Sequence, residues 1–180
     1  MSSDNFEKDV MQYIRFDDYF EGDGAQKQRI IDALKKVYES DTIKEMFKNI
    51  CQHAEVPFEI KYVKGKLATQ ILFDKNMEPT KKRWMELDLD LLKTANYIDN
   101  YGKAVEVTLE AVLAHELVHL LLTGYYDDGV GSPDIFFNGD DTDYLGKTVK
   151  LSNEIYKELG IVERNAYVSR DATGETLERN

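Results

Sequence analysis

The spacing of apolar residues predicts helices in the first third of the chain and strands after it. In residues 25–54 the apolar positions recur every three or four residues, and the pattern breaks near Ser40-Asp41. This fits two amphipathic helices, with Ser40 or Asp41 as the N-cap of the second. From Pro57 the period changes to two, and residues 58–62 are typical of a strand. Residues 1–24 mix aromatic and acidic side chains and predict a short helix or strand.

Two further strands are predicted before the middle of the chain. A turn signal at Lys64-Gly65-Lys66 precedes a second strand over residues 67–73, so these first two strands are expected to form a hairpin. Residues 74–82, with Pro79, predict a loop. Alternation from Arg83 to Leu92 predicts a third strand with one polar face.

The second half of the chain centres on an apolar run. Residues 112–122 are almost continuously apolar and predict a buried helix, which Gly124 would end. Residues 125–146 predict a long loop, and Lys150 to Leu159 predict another helix with Gly160 as its stop. We therefore expect one α+β domain over residues 1–170, with a small mixed or antiparallel sheet packed on the apolar helix. Residues 171–180 are polar and predict a frayed tail.

Composition and charge limit the classes of molecule that the protein is expected to bind. The chain has 180 residues, 42% of them hydrophobic, and a formal net charge of -11. That charge argues against nucleic acid or an anionic membrane as partner, and it favours basic substrate segments. Cys51 is the single cysteine, which excludes an internal disulfide and a cysteine-rich zinc site. The N-terminus has no secretory signal pattern and no run has the length of a membrane span, so we expect synthesis as a soluble cytoplasmic protein.

The apolar helix carries the candidate chemistry. His115 and His119 lie four residues apart, so on a helix they share one face and can bind one metal ion. Glu116 completes an HExxH pattern, in which the glutamate is the general base beside a metal-activated water. The competing interpretation is a buried helix whose polar groups make ordinary hydrogen bonds. His53, the remaining histidine, is interpreted as an ordinary, partly buried side chain.

A catalytic zinc site needs a third protein ligand, and spacing alone leaves it open. Glu154 follows Asn153 in a pair that superficially resembles the Asn-Glu pair of thermolysin-like enzymes. The downstream candidates are all carboxylates: Asp127, Asp128, Asp134, Asp140, Asp141, Asp143, Glu154, Glu158 and Glu163.

A family resemblance covers residues 105–167. The HExxH run, the acidic pair Asp140-Asp141 before Gly146, and the segments 153–160 and 164–167 resemble the NleD-type bacterial effector zinc metallopeptidases. The order of motifs is also similar to that of clostridial neurotoxin light chains. The resemblance implies a zincin-like fold and one Zn²⁺ bound by His115, His119 and Asp141, with Glu154 and Asp140 as alternatives to Asp141. This chain has aspartates where the family has glutamates, so the backbone would have to approach the metal more closely.

The resemblance also implies roles for two residues near the C-terminus. Arg164 and Tyr167 would stabilise the oxyanion formed during peptide hydrolysis. The expected function is thus a zinc endopeptidase acting on a protein substrate, such as a host protein, after secretion or translocation as an effector or toxin. An extended substrate could pair with the strand at residues 83–92. A zinc hydrolase of a non-peptide substrate and a catalytically silent, metal-supported binding domain are the alternatives.

Overall fold

A computed structural model describes residues 3–99, 101, 103–122 and 146–170 of the chain. It has an α+β fold in which helices pack on a small mixed sheet and a second sheet follows it in sequence. The described helices are α1 (Ser3–Asp9), α2 (Asp18–Gly22), α3 (Gly24–Val37), α4 (Asp41–Lys48), α5 (Ile50–His53), α6 (Leu109–Leu121) and α7 (Lys147–Leu159). The strands are β1 (Ile14–Phe16), β2 (Phe58–Tyr62), β3 (Leu67–Phe73), β4 (Pro79–Leu87), β5 (Asn96–Asp99), β6 (Ala104–Glu106) and β7 (Arg164–Arg170).

The first sheet corrects the predicted hairpin. Its strand order is β1-β2-β4-β3, with β1, β2 and β4 parallel and β3 antiparallel to β4. Both predicted strands, β2 and β3, exist, but β4 lies between them. The connection between β2 and β3 bonds to the end of β4 and to the residue after it: Val63 N–H donates to Leu87 O (3.3 Å), and Asp88 N–H donates to Lys66 O (2.7 Å). The connection at residues 63–66 therefore crosses over the end of β4 instead of forming a hairpin turn.

The third predicted strand also differs in its limits. β4 begins at Pro79, inside the predicted loop, and ends at Leu87. Asp88 ends the alternation because its carboxylate accepts a hydrogen bond from Asp90 N–H (3.1 Å) and caps a 3₁₀ helix over Leu89–Lys93. Since β4 is paired on both edges, the prediction that a substrate pairs with this strand is wrong. In the described part of the chain, β3 is an edge strand of this sheet.

The second sheet was not predicted. Its order is β6-β5-β7, and both pairings are antiparallel. Among the described residues, six strands therefore precede α6 instead of the predicted three. β5 and β6 contain four and three residues, too few for an alternating pattern to identify.

In the N-terminal part of the chain, the observed helices agree better with those predicted from the spacing of apolar residues. α3 and α4 confirm the two amphipathic helices, and Ser40 Oγ accepts a hydrogen bond from Ile43 N–H (3.1 Å) as the N-cap of α4. Residues 3–22 contain both a helix and a strand, α1 and β1, followed by α2. Among the helices described, none is long and apolar enough to cross a membrane.

Helix α6 lies in the centre of the core. All of its residues except Glu110 are buried, and it contacts α3 and α7 as well as β3 and β4. A helix that is apolar on all sides is stable only when neighbours cover it completely. The polar residues in its middle are therefore enclosed by the fold.

Candidate functional site

The two motif histidines face each other at the centre of α6. The helix begins at the N-cap Thr108, whose hydroxyl accepts a hydrogen bond from Ala111 N–H (3.1 Å). About one and two turns after Ala111, His115 and His119 are 1% and 7% exposed. Their Nε2 atoms are 3.2 Å apart and their ring planes are nearly perpendicular, at 85°. The i, i+4 spacing thus brings the two Nε2 atoms close together.

This separation fits a shared metal ion. Two nitrogens that each lie about 2.0–2.1 Å from one tetrahedral zinc are roughly 3.3 Å apart. The 3.2 Å between the Nε2 atoms is close to that value. It is also the length of an N–H···N hydrogen bond between neutral imidazoles. The donor set therefore fits zinc, and the distance alone is equally compatible with a hydrogen-bonded histidine pair.

A serine on α7 holds the first histidine ring. Ser152 is completely buried, and its Oγ lies 3.1 Å from Nδ1 of His115. The same Oγ donates a hydrogen bond to the carbonyl oxygen of Thr148 (2.7 Å). Metal-binding histidines commonly have such a partner on the nitrogen that faces away from the metal. Ser152 thus contacts the His115 ring at Nδ1, the nitrogen on the side away from His119.

Glu116 points toward the first sheet. Its carboxylate accepts a hydrogen bond from the Thr69 N–H of β3 (2.6 Å), and its carbonyl oxygen accepts another from the Thr69 hydroxyl (2.9 Å). Glu116 is 1% exposed. A carboxylate is a proton acceptor, and its neighbour in sequence, His115, belongs to the pair described above. The site therefore combines possible metal donors with a candidate general base.

A buried arginine of β4 secures the end of α6 next to His119. Arg83 is 4% exposed, and its Nη1 donates to the carbonyl oxygens of His119 (2.8 Å), Leu120 (3.2 Å) and Leu122 (2.8 Å). The last carbonyls of a helix lack partners within the helix. Arg83 supplies hydrogen bonds and a positive charge where the helix dipole is negative.

Arg164 lies at the start of β7 and is held by α7. Asn153 donates through Nδ2 to Arg164 O (2.8 Å) and accepts through Oδ1 from Arg164 N–H (2.9 Å). The guanidinium carbon is 5.7 Å from the centre of the Tyr97 ring, a cation–π distance. Both the position of Arg164 and its burial, at 6% exposure, are thus set by neighbours that come from two other elements.

Tyr156 interacts with both Arg164 and helix α6. Burial raises the pKa of Tyr156 to about 12, although the positive charge of Arg164 acts in the opposite direction and the negative charge of Glu116 adds to the rise. The Tyr156 hydroxyl donates to the carbonyl oxygen of Ala111 on α6 (2.8 Å). Arg164 and Glu116 therefore both lie within electrostatic range of one buried hydroxyl group.

The described part of the structure does not place the other predicted site residues beside His115 and His119. Asp140 and Asp141 lie outside the described residues, as do Gly124, residues 125–145 of the predicted loop and the tail at 171–180. Tyr167 belongs to β7, but its side chain lies outside the described part. Glu154 is exposed, and it lies two residues from Ser152 on α7, so the two face different directions. The structure therefore does not bring Glu154 together with His115.

The described residues do not by themselves complete a metal site. Within them, no group of three or more histidine, cysteine, aspartate or glutamate side chains is arranged to hold a metal ion. His53 is half-buried at the end of α5. Asp140 and Asp141, which the resemblance implies as candidates for the third ligand, lie outside the described ranges.

Four residues around the motif were not identified from the sequence. They are Thr69, Arg83, Ser152 and Tyr156, each of which contacts α6. A serine or tyrosine on a predicted amphipathic helix carries no local signal of such a role. The buried Arg83 had one indirect signal, since it alternates with Met85 and Leu87 on the apolar side of its strand.

No protein-family model matches the chain, and no curated protein matches it. The resemblance of residues 105–167 to the NleD-type metallopeptidases stays a prediction from motifs. Function is therefore proposed from the geometry of the site together with those motifs.

Proposed function

We propose that the protein is a zinc-dependent endopeptidase whose centre lies on α6. The observation that carries the proposal is the 3.2 Å approach of the His115 and His119 Nε2 atoms, with the buried Glu116 carboxylate beside them on the same helix. Three polar side chains inside an otherwise apolar helix are costly to bury unless their interactions compensate. Metal binding and proton transfer would explain all three residues together.

His115 and His119 are the first two ligands, and the motif resemblance makes Asp141 the third. Asp140 is the alternative next to it, and Glu154 is disfavoured by its exposed position on α7. When bound, the metal supplies positive charge that polarises a carbonyl group and acidifies a water molecule. An aspartate is an accepted zinc ligand.

Glu116 acts as general base and then as general acid. It accepts a proton from the attacking water and returns it to the leaving amine. Thr69 limits the positions of the carboxylate through the hydrogen bond from its N–H (2.6 Å). Arg164, with Tyr167, stabilises the negative charge that develops on the peptide oxygen. Asn153 fixes the backbone of Arg164, and the guanidinium interacts with the Tyr97 ring and with Tyr156.

The substrate would bind as an extended strand along β3. This edge strand contacts α6 and reaches Glu116 through Thr69. Strand addition provides main-chain hydrogen bonds independent of side-chain identity. β3 thus replaces the predicted strand at residues 83–92 as the substrate-binding edge.

The proposal is tested by measuring metal and activity separately in Glu116→Gln. We expect the purified full-length wild type and the variant to contain near-stoichiometric zinc. New protein N-termini should appear in a cell lysate treated with the wild type, and the variant should produce them at least about 100 times more slowly, because the base is missing. Equal cleavage by both would exclude this mechanism. Zinc without new N-termini would favour a non-peptide substrate.

A metal-free binding domain is the second candidate, because the histidine distance also suits a hydrogen bond. In that case His115 and His119 would only support the core, and purified protein would lack zinc.

Asp141→Ala and Asp140→Ala form a matched pair of variants that test the identity of the third ligand. We expect the first to lose zinc and the second to keep it; the opposite result would move the ligand to Asp140.

A further inference from the structure

We propose that Ser152 is a positioning residue that holds His115 in the tautomer with the proton on Nδ1, so that the Nε2 lone pair points at the metal. This inference rests on the proposed metal site and adds a residue that the motif does not contain. Ser152 lies 37 positions after His115 in the chain.

The tautomer follows from counting protons. Ser152 Oγ and Thr148 O are 2.7 Å apart, and two oxygens at that distance repel unless a proton lies between them. A carbonyl oxygen carries none, so the serine proton must point at Thr148. The serine hydroxyl has one proton. Toward His115 Nδ1, at 3.1 Å, Ser152 can therefore only accept, and Nδ1 must be the donor.

In neutral imidazole the second nitrogen then carries the lone pair. That nitrogen is Nε2 of His115, which faces Nε2 of His119 at 3.2 Å. The tautomer required by Ser152 is thus the one that a metal at this position requires.

The position of the serine oxygen is itself fixed. Tyr156, one turn further along α7, donates to Ala111 O on α6 (2.8 Å). Two residues further, Glu158 accepts hydrogen bonds from Thr42 of α4, through N–H (3.2 Å) and the hydroxyl (2.6 Å). These contacts hold α7 against α6 and α4. The side chain of Ser152 has no exposed surface, so water does not readily replace its hydroxyl group.

The first test compares zinc affinity in two hydroxyl deletions one turn apart. Ser152→Ala removes the acceptor for His115. Thr148→Val is the matched control, because Thr148 is equally buried and its Oγ1 has no hydrogen-bond partner among the described residues, while its carbonyl group remains. By competition titration of the full chain, we expect Ser152→Ala to raise the zinc Kd by about 10- to 100-fold. Thr148→Val should leave it unchanged.

The outcomes separate this inference from the proposed function. A wild type that takes up no zinc would overturn the proposed function and this inference with it. If the wild type binds zinc and Ser152→Ala binds it equally tightly, the role of Ser152 is overturned but the proposed function is not. Equal weakening by both deletions would also overturn it, because a general disturbance of α7 would then explain the effect.

The second test needs no metal, and its deciding measurement uses the wild type alone. Long-range ¹⁵N NMR of the metal-free wild type distinguishes the two imidazole tautomers. We expect His115 to carry its proton on Nδ1, and a mixture of tautomers in Ser152→Ala. A wild-type His115 with its proton on Nε2 would refute the role of Ser152, even if Ser152→Ala cannot be purified.

Discussion

Replacing Arg83 with methionine should strongly destabilise the fold. Methionine keeps much of the aliphatic length of arginine but removes the guanidinium group that binds the end of α6. The substitution leaves the carbonyl oxygens of His119, Leu120 and Leu122 without this donor. Because Arg83 is 4% exposed, bulk water has little access from its side.

The magnitude can be worked from the three contacts. Two of them are short, at 2.8 Å, and the third is 3.2 Å. A hydrogen bond to a charged group contributes about 1.5–3 kcal/mol net. The burial of the guanidinium is itself costly, and the three bonds share one nitrogen, so their energies do not add. We expect a loss of about 3–5 kcal/mol, a large part of the roughly 5–15 kcal/mol of a typical domain.

Urea denaturation followed by circular dichroism measures this loss, with Lys82→Met as the control. Lys82 is exposed and adjacent on the same strand, so its replacement should change the free energy of unfolding by less than about 0.5 kcal/mol. A loss below about 1 kcal/mol in Arg83→Met would refute the reasoning. It would mean that the carbonyls at the end of α6 find other partners at little cost.

Two further predictions concern catalysis and pH. Arg164→Lys keeps the charge but loses the planar fork; we expect bound zinc to be unchanged and kcat to fall about 100- to 1000-fold, the usual effect of losing an oxyanion donor. Wild-type kcat in that variant would remove Arg164 from the mechanism. Burial acts to raise the pKa of Glu158, but hydrogen bonds from Ser40 and Thr42 outweigh it and lower that pKa. The resulting stability is present above the unfolded pKa and lost as pH falls through the lower folded value. Glu158→Gln should therefore cost about 1 kcal/mol at pH 7, given its exposure, with the difference from wild type shrinking toward pH 3. A difference independent of pH would contradict this.

Several elements could be predicted from the sequence because their signals are local. The apolar run of α6, the break at Ser40 between α3 and α4, and the alternation in β2 depend on residues within a few positions of one another. Helix capping and side-chain periodicity act over one or two turns. For the same reason the face shared by His115 and His119 could be predicted from their spacing alone.

The tertiary structure decided which distant segments meet. The insertion of β4 between β2 and β3, and the pairing of the short β5 with β7, depend on contacts that no local pattern encodes. Strand order is set by which faces can be buried together. The hairpin and the substrate edge predicted at residues 83–92 were wrong for that reason.

The surroundings of the motif belong to the same category. Thr69 and Ser152 are 47 and 37 positions from the α6 residues they contact. A hydroxyl group becomes a positioning group only when folding brings it within hydrogen-bond distance of a buried polar atom. The sequence by itself determined the helix and its two histidines. The packing of β3, β4 and α7 around α6 decided what supports the glutamate, the end of the helix and the first histidine.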